Sequence, residues 1–230
     1  MSAKKYLPYL LAILSFVIVS LAYFYPVLEG KELFQSDIAQ FRGMASEVRE
    51  FREQNGEEPY WTNRAFGGMP TYQLSTYYPH DYIKKLDGLL RFLPRPADYL
   101  FLYFFSFFIL LRVLRTEWKT AVIGALGFGL STYLIIILGV GHNAKAHAIA
   151  YMPLVLAGIL WVFQGRYLQG FTLTAVAMAL EINASHPQMT YYLLFSVLIF
   201  GIVQMIEAWR KKGLPVFFKK VGILMGAVIL

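Results

Sequence analysis

Four short stretches carry the residues whose chemistry could amount to a function. Asp37 stands in Gln35-Ser36-Asp37-Ile38-Ala39-Gln40, after the first apolar run and just before a helical pattern. A carboxylate there can take a proton from a hydroxyl as a general base, or ligate a metal. It can equally cap the helix that follows, because Asp and Ser are favoured at that position. The second stretch, Gly141-His142-Asn143-Ala144-Lys145-Ala146-His147, holds two imidazoles and a cation. His142 and His147 miss the i, i+4 spacing of a helical metal pair, so zinc is poorly served. Lys145 suits a phosphate or carboxylate at the mouth of a helix bundle, or a side chain snorkelling to an interface.

The third stretch runs Glu181-Ile182-Asn183-Ala184-Ser185-His186-Pro187-Gln188. Glu181 falls in or near an apolar layer, where a carboxylate needs a partner such as Lys145 or a shifted pKa. His186 and Gln188 can bind a polar ligand, or belong to a capped turn closed by Pro187. The fourth stretch, Pro59 to Tyr72, is rich in aromatics, Gly and Pro, and includes Trp61, Arg64 and Tyr72. Rings beside a carboxylate suit a sugar, stacking on its apolar faces while polar groups hold its hydroxyls. The other reading of these rings is an interfacial aromatic belt, and Tyr77, Tyr78 and Tyr99 are assigned to it.

The elements that must position these residues follow from composition. Hydrophobic residues make up 57% of the 230, and charged ones only 15%, against about 25% in an ordinary soluble domain. Apolar runs cover Leu7–Tyr25, Ala97–Leu111, Ala121–Val140, His147–Phe163, Phe171–Asn183 and Met189–Ala208, and a seventh begins near Phe217. A spanning helix needs about 20 such residues, with roughly 17 the usual minimum; the second and fifth runs are short and must borrow from their flanks. The first run is too long for the apolar part of a signal peptide and has no small-residue cleavage site, so it reads as a retained anchor. About 15 Å of helix follows Lys220, half a bilayer core. The seventh span is therefore expected to be cut short, and the chain to be the N-terminal part of a longer protein.

Charge sets the orientation. Of the 21 Lys and Arg, those outside the long 26–96 loop fall on one side if the spans alternate, from Lys4 and Lys5 to Lys219 and Lys220, except Lys145. That side is the cytoplasm by the positive-inside rule. The net charge of +7 thus belongs to membrane orientation, and nucleic acid is not an expected partner. With no cysteine, disulfides and thiolate metal sites are excluded. Within the loop, Phe41, Met44, Val48 and Phe51 recur at helical spacing, as do Ile83, Leu86, Leu90 and Leu93. Both patterns predict amphipathic helices at the membrane surface, or packed on the rest of the protein.

The expected fold class is all-α: a polytopic transmembrane helical bundle with a long extracytoplasmic first loop containing amphipathic surface helices. Residues 1–25 form the first transmembrane helix, 26–96 the loop, and 97–230 transmembrane helices two to seven. Asp37, the aromatic loop, Lys145 and His186 then reach the same outer face.

At these residues the chain resembles the YfhO-like bacterial membrane proteins, placed among the GT-C type glycosyltransferases. The matching stretches are Ser36-Asp37-Ile38-Ala39-Gln40, Trp61 through Pro70 with its Phe66-Gly67-Gly68-Met69-Pro70, Gly141 through His147, and Ser185-His186-Pro187-Gln188. The resemblance covers all 230 residues, which would be the N-terminal portion of a typical member. It implies transfer of a sugar from a polyprenyl-phosphate carrier to a cell-envelope acceptor, on the outer face of the bacterial cytoplasmic membrane. It implies that Asp37 is catalytic and takes the acceptor's proton. Lys145, with His142 or His147, would stabilise the departing phosphate. Trp61, Arg64, Tyr72, Glu181, His186 and Gln188 would contact substrate. No cofactor is certain: the paired acids of some relatives are absent around Asp37, which leaves a divalent metal open. The partners implied are the bilayer, the lipid-linked donor and the envelope acceptor.

Two other readings stand beside this one. A transporter or flippase for a lipid-linked precursor should show broken helices and polar groups near the bilayer midplane. Gly124, Gly127, Gly129, Ser131 and Thr132 in the third run allow a break, but the ionisable residues sit at the outer ends. A non-catalytic scaffold of an envelope complex would tolerate loss of Asp37.

Overall fold

The computed structural model describes residues 6–76 and 78–229. Lys4, Lys5 and Tyr77 lie outside them. The fold is all-α, 76% helical, with one two-stranded ribbon among the described residues. The helices are α1 (Leu7–Tyr23), α2 (Ser36–Met44), α3 (Ser46–Asn55), α4 (Tyr82–Leu90), α5 (Ala97–Val113), α6 (Trp118–Gly129), α7 (Thr132–Val140), α8 (Asn143–Phe163), α9 (Tyr167–Asn183), α10 (Pro187–Arg210) and α11 (Leu214–Ile229). The ribbon pairs β1 (Trp61–Thr62) with β2 (Met69–Pro70), antiparallel.

Helices α5 and α8 form the centre. Phe104 and Tyr103 of α5, Tyr151 of α8 and Phe16 of α1 are fully buried together, and the Phe16 ring lies 5.6 Å from both Phe104 and Phe108. Among the described residues two helices, α8 and α10, are long and apolar enough to cross a membrane, and a third span results if α6 and α7 count as one. The two differ in burial. Two thirds of the apolar window of α8 is covered, whereas α10 turns Tyr191, Leu194, Phe195, Leu198 and Ile202 outward. A soluble chain rarely leaves so continuous an apolar stripe open to water.

Close packing of α8 on α9 rests on glycine. A Cβ on Gly158 would lie 2.7 Å from the backbone nitrogen of Thr174, and one on Gly170 would lie 2.6 Å from that of Val162. Backbone cannot yield as a flexible side chain can. Gly158→Val is therefore expected to force the helices apart and cost about 1–3 kcal/mol, read as a lower thermal midpoint in detergent. An unchanged midpoint would show that the two helices separate freely.

The structure departs from the sequence expectations in two places. The 121–140 run is two helices bent by 47°, not one continuous helix: α6 ends at Gly129, packed on the Phe104 ring, and Ser131 is extended before α7 starts. The pattern from Phe41 to Phe51 is two helices broken at Ala45, with Val48 buried and Phe41 and Phe51 exposed. Of the two placements open to the second amphipathic pattern, α4 takes the packed one, with Ile83, Leu86 and Leu90 against the main core.

Candidate functional site

The turn between α7 and α8 receives the start of α2. Gly141 ends α7 with φ of 93°, in the left-handed region that favours glycine. A Cβ there would also lie 2.8 Å from Cβ of Gln35, so glycine is needed for space as well. Gln35 Nε2 donates to the Leu138 carbonyl at 2.6 Å, one of the carbonyls that a helix C-terminus leaves without a partner. Gln35 Oε1 in turn accepts from Asn143 Nδ2 at 3.5 Å. These bonds fix the register of α2 on the turn.

That register sets Asp37 against His142. Asp37 Oδ2 lies 2.6 Å from His142 Nδ1, and the two side chains are 40% and 50% exposed. Asp37 is thus a first-turn residue whose carboxylate faces the imidazole, not a helix cap: Gln35 holds the cap position and no side chain caps this end. An anion in the first turn is also favoured by the helix dipole.

Lys145, one turn along α8, holds its ammonium 5.5 Å from the centre of the Tyr133 ring. His186 caps the start of α10, with Nδ1 buried and unbonded. Burial foremost lowers the basicity of its imidazole, against a backbone contact that raises it, and Lys145 and His142 nearby lower it further. Asp37, His142, Lys145 and His186 therefore share one end of the bundle. His186 also forms the rim of an apolar groove of about 850 Å³ between α8, α9, α10 and α11, with Thr190, Ile182, Met178 and Phe217 in its wall.

Other expected site residues are engaged elsewhere. His147 points inward, where its Nε2 donates to Asp87 on α4, so it does not join His142 at the exposed end of the bundle. Glu181 is fully buried and takes the Thr190 hydroxyl at 3.0 Å; Lys145 is not its partner. Gln188 donates to the Tyr192 hydroxyl at 2.8 Å. Arg64 binds Ser46 at 2.7 Å and Glu50 at 3.3 Å. Trp61 donates to Asn63, and Tyr72 accepts from Gln73. The hydrogen bonds of Trp61, Arg64 and Tyr72 among the described residues thus stay within the 26–96 segment and do not reach Asp37.

Glu47 clasps that loop to α3. Its Oε2 accepts from Thr62 Oγ1 at 2.5 Å, Asn63 N at 2.8 Å and Arg64 N at 3.2 Å. The Thr62 hydroxyl foremost, then these amides, hold its carboxyl below the usual range. A depressed acid stabilises above its unfolded pKa, near 4.3, and loses that contribution as pH falls below it. Glu47→Ala is expected to open the ribbon, so that trypsin cuts after the exposed Arg64 several-fold faster while the helical core persists. Equal cleavage of both chains would dismiss the clasp.

Sequence reading missed the main ionic network. Asp87 accepts from Arg91 at 2.7 and 2.9 Å, from Tyr151 at 2.7 Å and from His147. Arg91 also donates to Asp98 at 2.9 Å. Asp87 and Asp98 are almost fully buried. The signal was present: Asp87 lies with Ile83, Leu86 and Leu90 on the apolar face of its helix, where a lone acid implies a buried partner.

Among the described residues, no three His, Asp or Glu side chains are grouped to hold a metal ion; Asp37 and His142 would offer two donors. Comparison with protein families, with characterised proteins and with solved structures finds no match for this chain.

Proposed function

We propose that the chain is a polytopic protein of the bacterial cytoplasmic membrane, with its N-terminus in the cytoplasm. We infer that it works on the outer face as a GT-C type glycosyltransferase of the YfhO-like kind. The observation that carries this reading is the Asp37–His142 pair, 2.6 Å apart and half open to solvent, at the end of the bundle where the apolar groove has its rim at His186. An isoprenoid tail suits such a groove. The phosphate of a lipid-linked sugar then meets Lys145 and His142, which stabilise it as it leaves. Asp37 takes the proton of the acceptor hydroxyl as that oxygen attacks the sugar carbon. Trp61 and Tyr72 reach the sugar only if the outer loop closes over the site.

The reading is tested in two steps. The chain has no native cysteine, so single cysteines at positions 37, 145 and 186 can be labelled in intact cells by a membrane-impermeant thiol reagent. All three should react; protection of any one until the membrane is opened would remove the common outer site. Membranes carrying the protein as the cell makes it should then transfer a labelled hexose from its polyprenyl phosphate to an envelope acceptor. No transfer above membranes lacking the protein would reject the enzyme. The 47° break between α6 and α7 favours a second reading, a transporter of lipid-linked precursors. That reading predicts movement of the lipid-linked sugar across proteoliposomes without cleavage of the sugar–phosphate bond.

A further inference from the structure

A second cavity, of about 770 Å³, lies beside α2 between the short helix Tyr25–Glu29 that follows α1 and the Arg95–Pro96 entry to α5. Lys31, Arg42 and Arg95 line it, with Glu32 as the one acid in its wall. We propose that it binds a phosphate-bearing ligand with a free hydroxyl, either a soluble polyol phosphate or the headgroup of an anionic phospholipid.

The cations there are loosely held. Arg42 meets Glu32 only at 3.5 Å, and Arg95 meets Asp98 at 3.8 Å, while Asp98 has a closer partner in Arg91 at 2.9 Å. Lys31 holds Glu29 at 2.6 Å, but both side chains are exposed, so the pair exchanges easily with solvent. Guanidinium groups match phosphate oxygens with two parallel hydrogen bonds. The hydroxyl follows from Asn143. This residue is 8% exposed, it lines the cavity, and its Oδ1 is buried with no hydrogen-bond partner. Its amide orientation is fixed, because Gln35 spends its own NH₂ on Leu138 and needs the Asn143 donor. Asn143 lines the cavity while its Oδ1 is closed to solvent and unpaired, so a small shift of the wall lets a ligand hydroxyl donate to it. Val27, Leu33 and Ile38 complete the wall, giving the cavity the mixed character of a headgroup site. Asp37 and His142 are not in that wall, although their neighbours Gln35, Ile38 and Asn143 are, so the cavity adjoins the Asp37–His142 pair without including it. The inference does not rest on sugar transfer.

The test is binding by the purified protein in neutral detergent, with sn-glycerol 1-phosphate, inorganic phosphate and glycerol as probes. A parallel arm compares retention of phosphatidylglycerol and phosphatidylcholine in nanodiscs. Glycerol phosphate should bind and glycerol should not, and R42Q/R95Q should weaken binding by roughly tenfold or more. Arg42 is largely exposed, so R42Q alone should show part of this loss at the wild-type thermal midpoint, whereas Arg95 also reaches the buried Asp98 and the Tyr99 ring. Lys119→Gln, at the far end of the bundle, should bind as wild type. Asn143→Leu should erase the preference for glycerol phosphate over inorganic phosphate. Retention of phosphatidylglycerol alone, lost in R42Q/R95Q, would assign the site to lipid. Failure of both arms, or R42Q/R95Q binding within threefold of wild type, would overturn the proposal, and a preference that survives in Asn143→Leu would overturn the hydroxyl contact.

Discussion

Arg91→Ala is expected to destabilise the protein by about 3–5 kcal/mol, the largest loss from any single side chain outside the apolar core. The guanidinium joins Asp87 and Asp98 and lies over the Tyr99 ring. Its removal leaves two carboxylates buried with one neutralising contact fewer each. Desolvation of an unpaired charge is what makes such a deletion costly. Asp87 retains His147 and Tyr151, whereas Asp98 keeps only the distant Arg95 and the Tyr99 amide. Asp98→Asn in the Arg91→Ala background should therefore recover part of the loss, since it removes the worst-placed charge. Burial works against the charge on Asp87, but hydrogen bonds from His147, Arg91 and Tyr151 outweigh it and hold the carboxyl below its ordinary range. The contribution of Asp87 is then fully present above about pH 4 and weakens only as pH falls further. Thermal unfolding in detergent measures all of this. A midpoint for Arg91→Ala equal to that of wild type would mean that the helix Tyr82–Leu90 is held by its apolar face alone.

That network shows what a single sequence makes legible. Apolar runs announced their helices with small errors at the ends, because burial of an apolar stripe is a local property of the run. The α8 helix begins four residues before the expected His147, since the Gly141 turn, not the onset of apolar residues, sets its start. The break at Ala45 left no mark, because the spacing of Phe41, Met44, Val48 and Phe51 runs through it in helical phase. The break before Ser131 was foreshadowed by Gly127 and Gly129, but its angle depends on the Phe104 ring, contributed by another helix. His147 and Asp87 are sixty residues apart. Nothing local distinguishes an imidazole that turns inward to a carboxylate from one that faces solvent five residues earlier. The pairing of Asp37 with His142 depended in the same way on Gln35, an unremarked residue whose amide reaches the end of α7.

Asp37→Asn is expected to lower sugar transfer by roughly 10²- to 10⁴-fold while leaving the folded chain intact. The two side chains have nearly the same shape, and Asn can still accept a hydrogen bond from His142 through its carbonyl oxygen. Gln35, which seats α2 on the turn, is untouched. What Asn lacks is the capacity to take a proton, so a drop in rate at unchanged thermal midpoint separates chemistry from structure. His142→Gln supplies the complementary measurement. It removes a group proposed to face the departing phosphate but leaves the base, so it should reduce the rate less than Asp37→Asn and increase the dependence on a good leaving group. Asp37→Glu keeps the proton acceptor but moves it by one methylene, and should retain a fraction of the activity that Asn does not. The measurement is the initial rate of transfer from a polyprenyl-phosphate-linked hexose in membranes holding equal amounts of each protein. Transfer by Asp37→Asn within threefold of wild type would remove Asp37 from the reaction and leave the Asp37–His142 pair as a clasp between α2 and the α7–α8 turn.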